Sequence, residues 1–267
     1  YRSALRVIRT KEVANVTDCA SYTNKHQGLA FNFSPEDGVK YRKTYTRNCH
    51  VLGCPEVANS STLVEDLAFD YYSAFGNWNA TENSTCIEST GVFTIIADRL
   101  NYTDSILGCQ AINAELADIV TETRTKHLSR YIESILDGWY KVAYVGLDDI
   151  DQEGTFITAQ GNSLPFCSRY RAWAPGHPLK NDDKQDCVVL YGSRMWRTVD
   201  CRRKFPALCE LYPETPSKMP GLTHVQCGGI KDNAERKRCA KQQELYEIYK
   251  NSSRIDKCAL EDSILIE

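Results

Sequence analysis

The sequence predicts an α+β fold built on a disulfide framework, and three observations carry that prediction. Two segments with apolar residues at helical spacing, "DSILGCQAINAELA" and "ETRTKHLSRYIESIL", precede a series of short strand-like runs. Twelve cysteines are spread from Cys19 to Cys258 with no C-x-x-C pair among them. Seven N-x-S/T sites accompany them. Helices followed by short strands and a long loop describe an α+β module. An even cysteine count at this density belongs to an oxidising compartment, where pairing survives.

Length and charge narrow the field. At 267 residues the chain is long for one compact domain and comfortable for two. Hydrophobic residues at 42% provide an ordinary globular core, and a net charge of −3 argues against a nucleic-acid surface or an anionic membrane face. The glycosylation sites Asn15, Asn59, Asn79, Asn83, Asn101 and Asn251 point to the secretory pathway, while Pro35 weakens the seventh, Asn32. No apolar run approaches the ~20 residues that span a bilayer. The chain opens at Tyr1 without a leader, so it reads as an extracellular protein, secreted or the ectodomain of a membrane protein whose anchor lies outside these residues.

Three blocks follow one another. Residues 1–90 form a small disulfide-rich module, with strand-like "GLAFNFSP" and an aromatic-dense "EDLAFDYYSAFGNW". Within it "TRNCHVLGCPE" places Cys49 and Cys54 five apart. They fit a tight clasp, with Cys19 and Cys86 then bracketing the module, or they take separate distant partners. The expected pairing is Cys49–Cys54 and Cys19–Cys86. Residues 91–212 carry the two helices, the first capped by Thr103. Strands follow at "VAYVGLDD", "EGTFITA", "DCVVLY" and "PALCELY". The linker "PETPSKMPG", with three prolines and a glycine in nine residues, opens residues 213–267. A helix is expected over 233–250. This tail is too short to bury a core and must be tethered by disulfides.

Several motifs in the middle block stand in a fixed order: "YVGL" at 144–147, then Asp149, Glu153, Gly154 and Phe156, then "WAPGHP" at 173–178. "DCV" at 186–188, a W-x-x-x-x-C element from Trp196 to Cys201 and "PALCE" at 206–210 complete the series. On these motifs the block resembles a C-type lectin-like domain, over about 120 of the 267 residues. The first block resembles small PAN/apple- or MANSC-type extracellular modules on the "TRNCHVLGCPE" segment alone. The lectin resemblance implies the disulfides Cys109–Cys209 and Cys187–Cys201. Cys167, Cys227, Cys239 and Cys258 remain as a set allowing three pairings, and Cys167 is expected to strap the tail to the lectin-like domain.

The resemblance also implies where a sugar-binding calcium would sit, and the residues there are His177, Leu179, Gln185, Arg197 and Thr198. Calcium wants six to eight oxygens. Leu179 has no donor, Arg197 brings a positive charge, and His177 prefers softer metals. The expectation is no metal and no cofactor at this loop. A neighbouring carboxylate set, Asp149, Glu153 and Asp186, is the place for a residual structural calcium, with Asp182 and Asp183 as further donors. Catalysis is not expected: no H-E-x-x-H or G-x-S-x-G occurs.

The expected function is therefore recognition of an extracellular or cell-surface protein, independent of calcium, in a receptor or adhesion role. The contact residues would be Tyr170, Arg171, His177, Leu179, Tyr191, Arg194 and Arg197, since Tyr and Arg dominate interface hot spots. The alternative is a carbohydrate-binding lectin with an unconventional site. Basic "CRRKF" (201–205) and "ERKRCAK" (235–241) make sulfated glycans the natural class for that reading.

Overall fold

The computed structural model describes residues 1–35, 47–56, 62–73, 75, 84–138, 141–164, 170–179, 184–211, 227, 230–237, 239–241, 243–245 and 248. The chain divides into two compact units. One comprises Tyr1–Glu82, Cys86–Gly91 and Pro213–Asp256, and the other centres on Val92–Tyr212.

The first unit runs β1 (Arg2–Ser3), β2 (Val7–Lys11), α1 (Val16–Lys25), β3 (Ala30–Phe33), β4 (Cys49–Leu52), β5 (Leu63–Val64), β6 (Asp70–Ser73) and β7 (Thr85–Ile87). Four of these strands make an antiparallel sheet in the order β2-β4-β3-β6. The sequence reading missed α1, yet its start signal is plain: Asn15 Oδ1 accepts the Asp18 N–H at 2.9 Å. The helix packs Cys19 and Ala20 against Phe31, Phe33, Cys49 and Val51. Asn32, between Phe31 and Phe33 on β3, is also fully buried, exchanging hydrogen bonds with the backbone of Ser3 (2.9 and 3.0 Å), so this glycosylation motif is spent inside the fold.

The expected cysteine pairing of this unit is corrected. Cys19 bonds Cys49, and Cys54 bonds Cys86; neither Cys19–Cys86 nor Cys49–Cys54 forms. The reason is the α1–sheet contact: Cys19 faces β4 directly, with Cα atoms 5.5 Å apart. Cys49 lies inside β4, so its side chain belongs to the core face and not to a turn clasp.

In the tail, one of the pairs left open by the sequence is present. Cys227 bonds Cys239, while Cys167 and Cys258 lie outside the described residues. Residues 233–237, 239–241 and 243–245 are helical. Leu245 and Ile248 pack on the first unit's core, and Thr17 donates to Glu244 at 3.0 Å. The described part of the tail is thus built into the first unit.

The second unit runs β8 (Gly91–Leu100), α2 (Tyr102–Ala111), β9 (Ala114–Leu116), α3 (Glu122–Ile135), β10 (Val142–Asp148), β11 (Ile157–Thr158), β12 (Cys187–Tyr191), β13 (Trp196–Val199) and β14 (Phe205–Leu211). Its sheet follows the order β13-β12-β10-β14-β8, with β11 on β10 and β9 on β14. The domain's first and last strands, β8 and β14, pair antiparallel, and Cys109–Cys209 ties α2 to β14 across 100 residues. The α2 cap is Asn101, not Thr103: its Oδ1 accepts the Asp104 N–H at 2.8 Å. The helix ends at Ala111, and "AEL" becomes β9 on β14. On α3 the apolar stripe Leu128 and Ile132 is fully buried, and Arg124 pairs with Glu210 of β14 inside the core.

No helix among the described residues is long and apolar enough to cross a membrane.

Candidate functional site

Strand β13 organises the loop that precedes it. Trp196 is fully buried; its Nε1 donates to Thr125 Oγ1 of α3 at 3.0 Å. Trp173 stands edge-on to it with ring centroids 5.4 Å apart, and the segment 172–174 runs along the strand through Trp196 N–H to Ala172 O and Ala174 N–H to Trp196 O. The β12–β13 hairpin is closed by Cys187–Cys201. These contacts fix where the 173–179 segment lies.

Alternation along β13 then sends neighbouring side chains to opposite faces. Thr198 is buried and faces the loop, while Arg197 is exposed on the other face. His177 Nδ1 accepts the Thr198 N–H at 3.2 Å and lies 3.0 Å from Thr198 Oγ1. The same hydroxyl accepts the Leu179 N–H at 3.1 Å. A backbone N–H only donates, so Nδ1 is unprotonated and the ring proton sits on Nε2. Burial, and after it the charge of Arg197, lower the His177 pKa below its ordinary 6.5, in keeping with a neutral acceptor. Three of the five loop positions are therefore joined to one another.

Arg197 does not place its charge in the loop as the sequence reading expected. Its guanidinium carbon lies 4.6 Å from the Tyr191 ring centroid, a cation–π contact on the outer face. Arg194 holds the tip of the hairpin at φ 65°, its N–H bonded to Tyr191 O. Tyr170 is half-buried with its ring edge-on to Trp196 at 5.8 Å, and Arg171 donates to the Tyr170 carbonyl at 2.7 Å. The seven expected contact residues thus fall into three clusters: His177 with Leu179, Tyr191 with Arg194 and Arg197, and Tyr170 with Arg171.

The carboxylate set is only partly assembled. Asp149 is buried; its Oδ2 accepts the Gly154 N–H at 2.8 Å and its Oδ1 has no hydrogen-bond partner. Burial first, then the charges of Glu153 and Asp186, push its carboxyl up to about 6. Asp186 is tied to this place by its carbonyl, which accepts the Asp149 N–H at 3.0 Å. Lys180, Asp182 and Asp183 lie outside the described residues. Among the described residues no group of three or more His, Cys, Asp or Glu is placed to hold a metal ion.

Of the glycosylation sites, Asn15 and Asn101 are helix N-caps, while Asn59, Asn79, Asn83 and Asn251 lie outside the described residues.

With this geometry in place, residues 98–211 match the family model for the C-type lectin domain. Over these residues the chain resembles a C-type lectin domain, a family whose members are recognition proteins and not enzymes. Among curated proteins it is 26% identical over 123 residues to collectin-10 of Xenopus tropicalis, covering 46% of this chain and 42% of the relative. It is 28% identical over 103 residues to the low affinity immunoglobulin epsilon Fc receptor of Mus musculus, covering 38% and 28%. Among solved structures, human lithostathine aligns at 23% identity and a TM-score of 0.43, over 50% of this chain and 91% of that one. The matched region amounts to less than half the length of these curated relatives.

Proposed function

We propose that the C-type lectin domain recognises an extracellular or cell-surface protein, and does so without calcium. The observation that carries this reading is the His177–Thr198–Leu179 hydrogen-bond set. Donors that would hold an ion with its sugar are instead satisfied by one another, so the loop keeps its shape with no metal. Two separate patches suit protein contact: Tyr191 under Arg197 with Arg194 at the hairpin tip on the outer face, and Tyr170 with Arg171. Large, rigid aromatic and guanidinium groups are what protein interfaces concentrate. One relative is by name a receptor for an immunoglobulin Fc region, a protein partner.

The first unit, with α1 bonded to β4 through Cys19–Cys49, belongs to the same proposal as a PAN/apple- or MANSC-like extracellular module. The carbohydrate alternative, with collectins among the relatives, is an outcome of the test.

The test is a screen of the full chain against displayed cell-surface proteins, repeated in chelator and after removal of glycans. Binding that survives both treatments and falls about tenfold in Arg194→Glu/Arg197→Glu supports the reading. Binding abolished by chelator, or transferred to free glycans, overturns it.

A further inference from the structure

The first unit holds a cationic cavity that the lectin domain does not use. It has a volume of about 290 Å³ and is lined by Arg6, Ile8, Arg9, His26, Glu88 and Ser89, among others. Arg9 and Lys11 are exposed on edge strand β2, two residues apart and so on one face of it. His26 caps the C-terminus of α1 and faces the same space. Its ring lies 4.5 Å from Tyr22, and Tyr22 in turn carries Lys11 Nζ 5.1 Å from its centroid. Burial lowers the His26 pKa, and the charges of Arg9, Lys25 and Lys11 lower it further, which reflects their convergence on the ring. In a chain of net charge −3, two guanidiniums, Arg6 and Arg9, line the opening, and the charges of Lys25 and Lys11 act on His26 beside them.

We propose that this cavity binds a sulfated polysaccharide. Two guanidiniums at the opening match a weakly hydrated, permanently ionised sulfate ester by fork-like hydrogen bonding. From Arg6, just before β2, to Lys11 the chain spans at most about 16 Å, so a ligand must present repeated charges to engage these cations together. An acidic peptide adding to the β2 edge fits less well. The strand bulges between Val7 and Arg9, and the Ile8 carbonyl that such a peptide would pair with is taken by Arg9 Nη1 at 2.9 Å.

The cavity also carries its own competitor. Glu88 Oε2 lies 3.3 Å from Arg6 Nη1, with both side chains largely open to solvent. Its position depends on Gly53, where a Cβ would come within 2.3 Å of Glu88 Cγ. A sulfate displaces this carboxylate from Arg6. Removing the Glu88 charge therefore strengthens the site, whereas a merely structural ion pair would weaken the unit.

This inference concerns the first unit and stands independently of the calcium-free reading of the lectin loop. The experiment measures binding of the full chain to a heparin hexasaccharide, the same hexasaccharide stripped of sulfate, and poly-glutamate. Thermal melting of each variant confirms folding. The expected result is salt-sensitive binding to the sulfated form alone, weakened about tenfold or more by Arg6→Glu/Arg9→Glu and strengthened about threefold by Glu88→Gln. Arg202→Glu/Arg203→Glu, in the second unit, leaves it unchanged. No binding, equal binding to the desulfated sugar or to poly-glutamate, or loss in the Arg202/Arg203 variant and not in the Arg6/Arg9 variant overturns the proposal.

Discussion

His177 Nδ1 accepts the backbone N–H of Thr198 at 3.2 Å, tying the loop to strand β13 by a bond that requires a neutral imidazole. The pKa of His177 is lowered in the fold, so protons bind the unfolded chain more readily. The sign follows. The stabilisation is fully present above the ordinary 6.5 and is lost as pH falls through the lowered folded value. The protection factor of the Thr198 amide, exchange corrected for its intrinsic pH dependence, should be high at neutral pH and fall as the solution is acidified below 6.5. In His177→Gln that acid step should disappear. Protection of Thr198 that is flat across the same range contradicts the assignment.

Asp149 titrates in the opposite sense. Its carboxyl is raised to about 6 by burial and by Glu153 and Asp186, so its contribution to stability is present at low pH and is lost as pH rises through 6. Carboxyl carbon shifts should show a midpoint near 6 for this residue and lower midpoints for exposed aspartates. Added calcium should leave the midpoint in place. A large downward displacement by calcium would assign an ion to this carboxylate.

Thr125 joins three elements through one hydroxyl: it accepts from Trp196 Nε1 at 3.0 Å and donates to Ile119 O at 2.8 Å. Thr125→Val preserves shape but strands both buried partners, and should cost about 1–3 kcal/mol in chemical denaturation. Loss of loop protection should accompany it, because Trp196 also anchors residues 172–174.

The Arg124–Glu210 pair is almost entirely buried, with 10% and 7% of the two side chains exposed. Replacing one partner leaves an uncompensated charge in the core, so Arg124→Met should destabilise by about 3–5 kcal/mol. The double variant Arg124→Met/Glu210→Leu should recover much of that loss. A double variant no better than the single one would show that hydrogen bonds to Asp118, not charge, dominate at Arg124.

Two bonded peptides, Cys19–Cys49 and Cys54–Cys86, are expected from proteolysis without reduction. In the second unit, loss of Cys109–Cys209, which closes a loop across 100 residues, should cost about 4 kcal/mol.

Much of the second unit was legible because its signals are local or strongly ordered. The α3 stripe, the β10 and β12 apolar runs and the motif series from Tyr144 to Glu210 all read directly. The first unit was less legible, since its pairing rests on a long-range packing contact. Cys19 meets Cys49 only because α1 lies across β3 and β4, which no spacing reveals. Helix α1 itself has few strongly apolar residues, and its cap Asn15 was read as a glycosylation site. The loop's residue types were readable, but their roles were not. Thr198 is the hub joining His177 and Leu179, and strand alternation turns Arg197 outward onto Tyr191. The basic residues from Arg6 to Lys11 were not read as a site from the sequence, because their convergence with His26 depends on where α1 ends.

The most direct test of the central claim is a calcium titration of the folded chain, followed through the backbone amides of residues 177–179 and 184–198. Donors already satisfied by one another predict no saturable shifts at His177, Leu179 or Thr198, at any concentration that leaves the fold intact. Saturable, chelator-reversible shifts centred on Thr198 and Asp186 would place calcium in the loop and contradict the account.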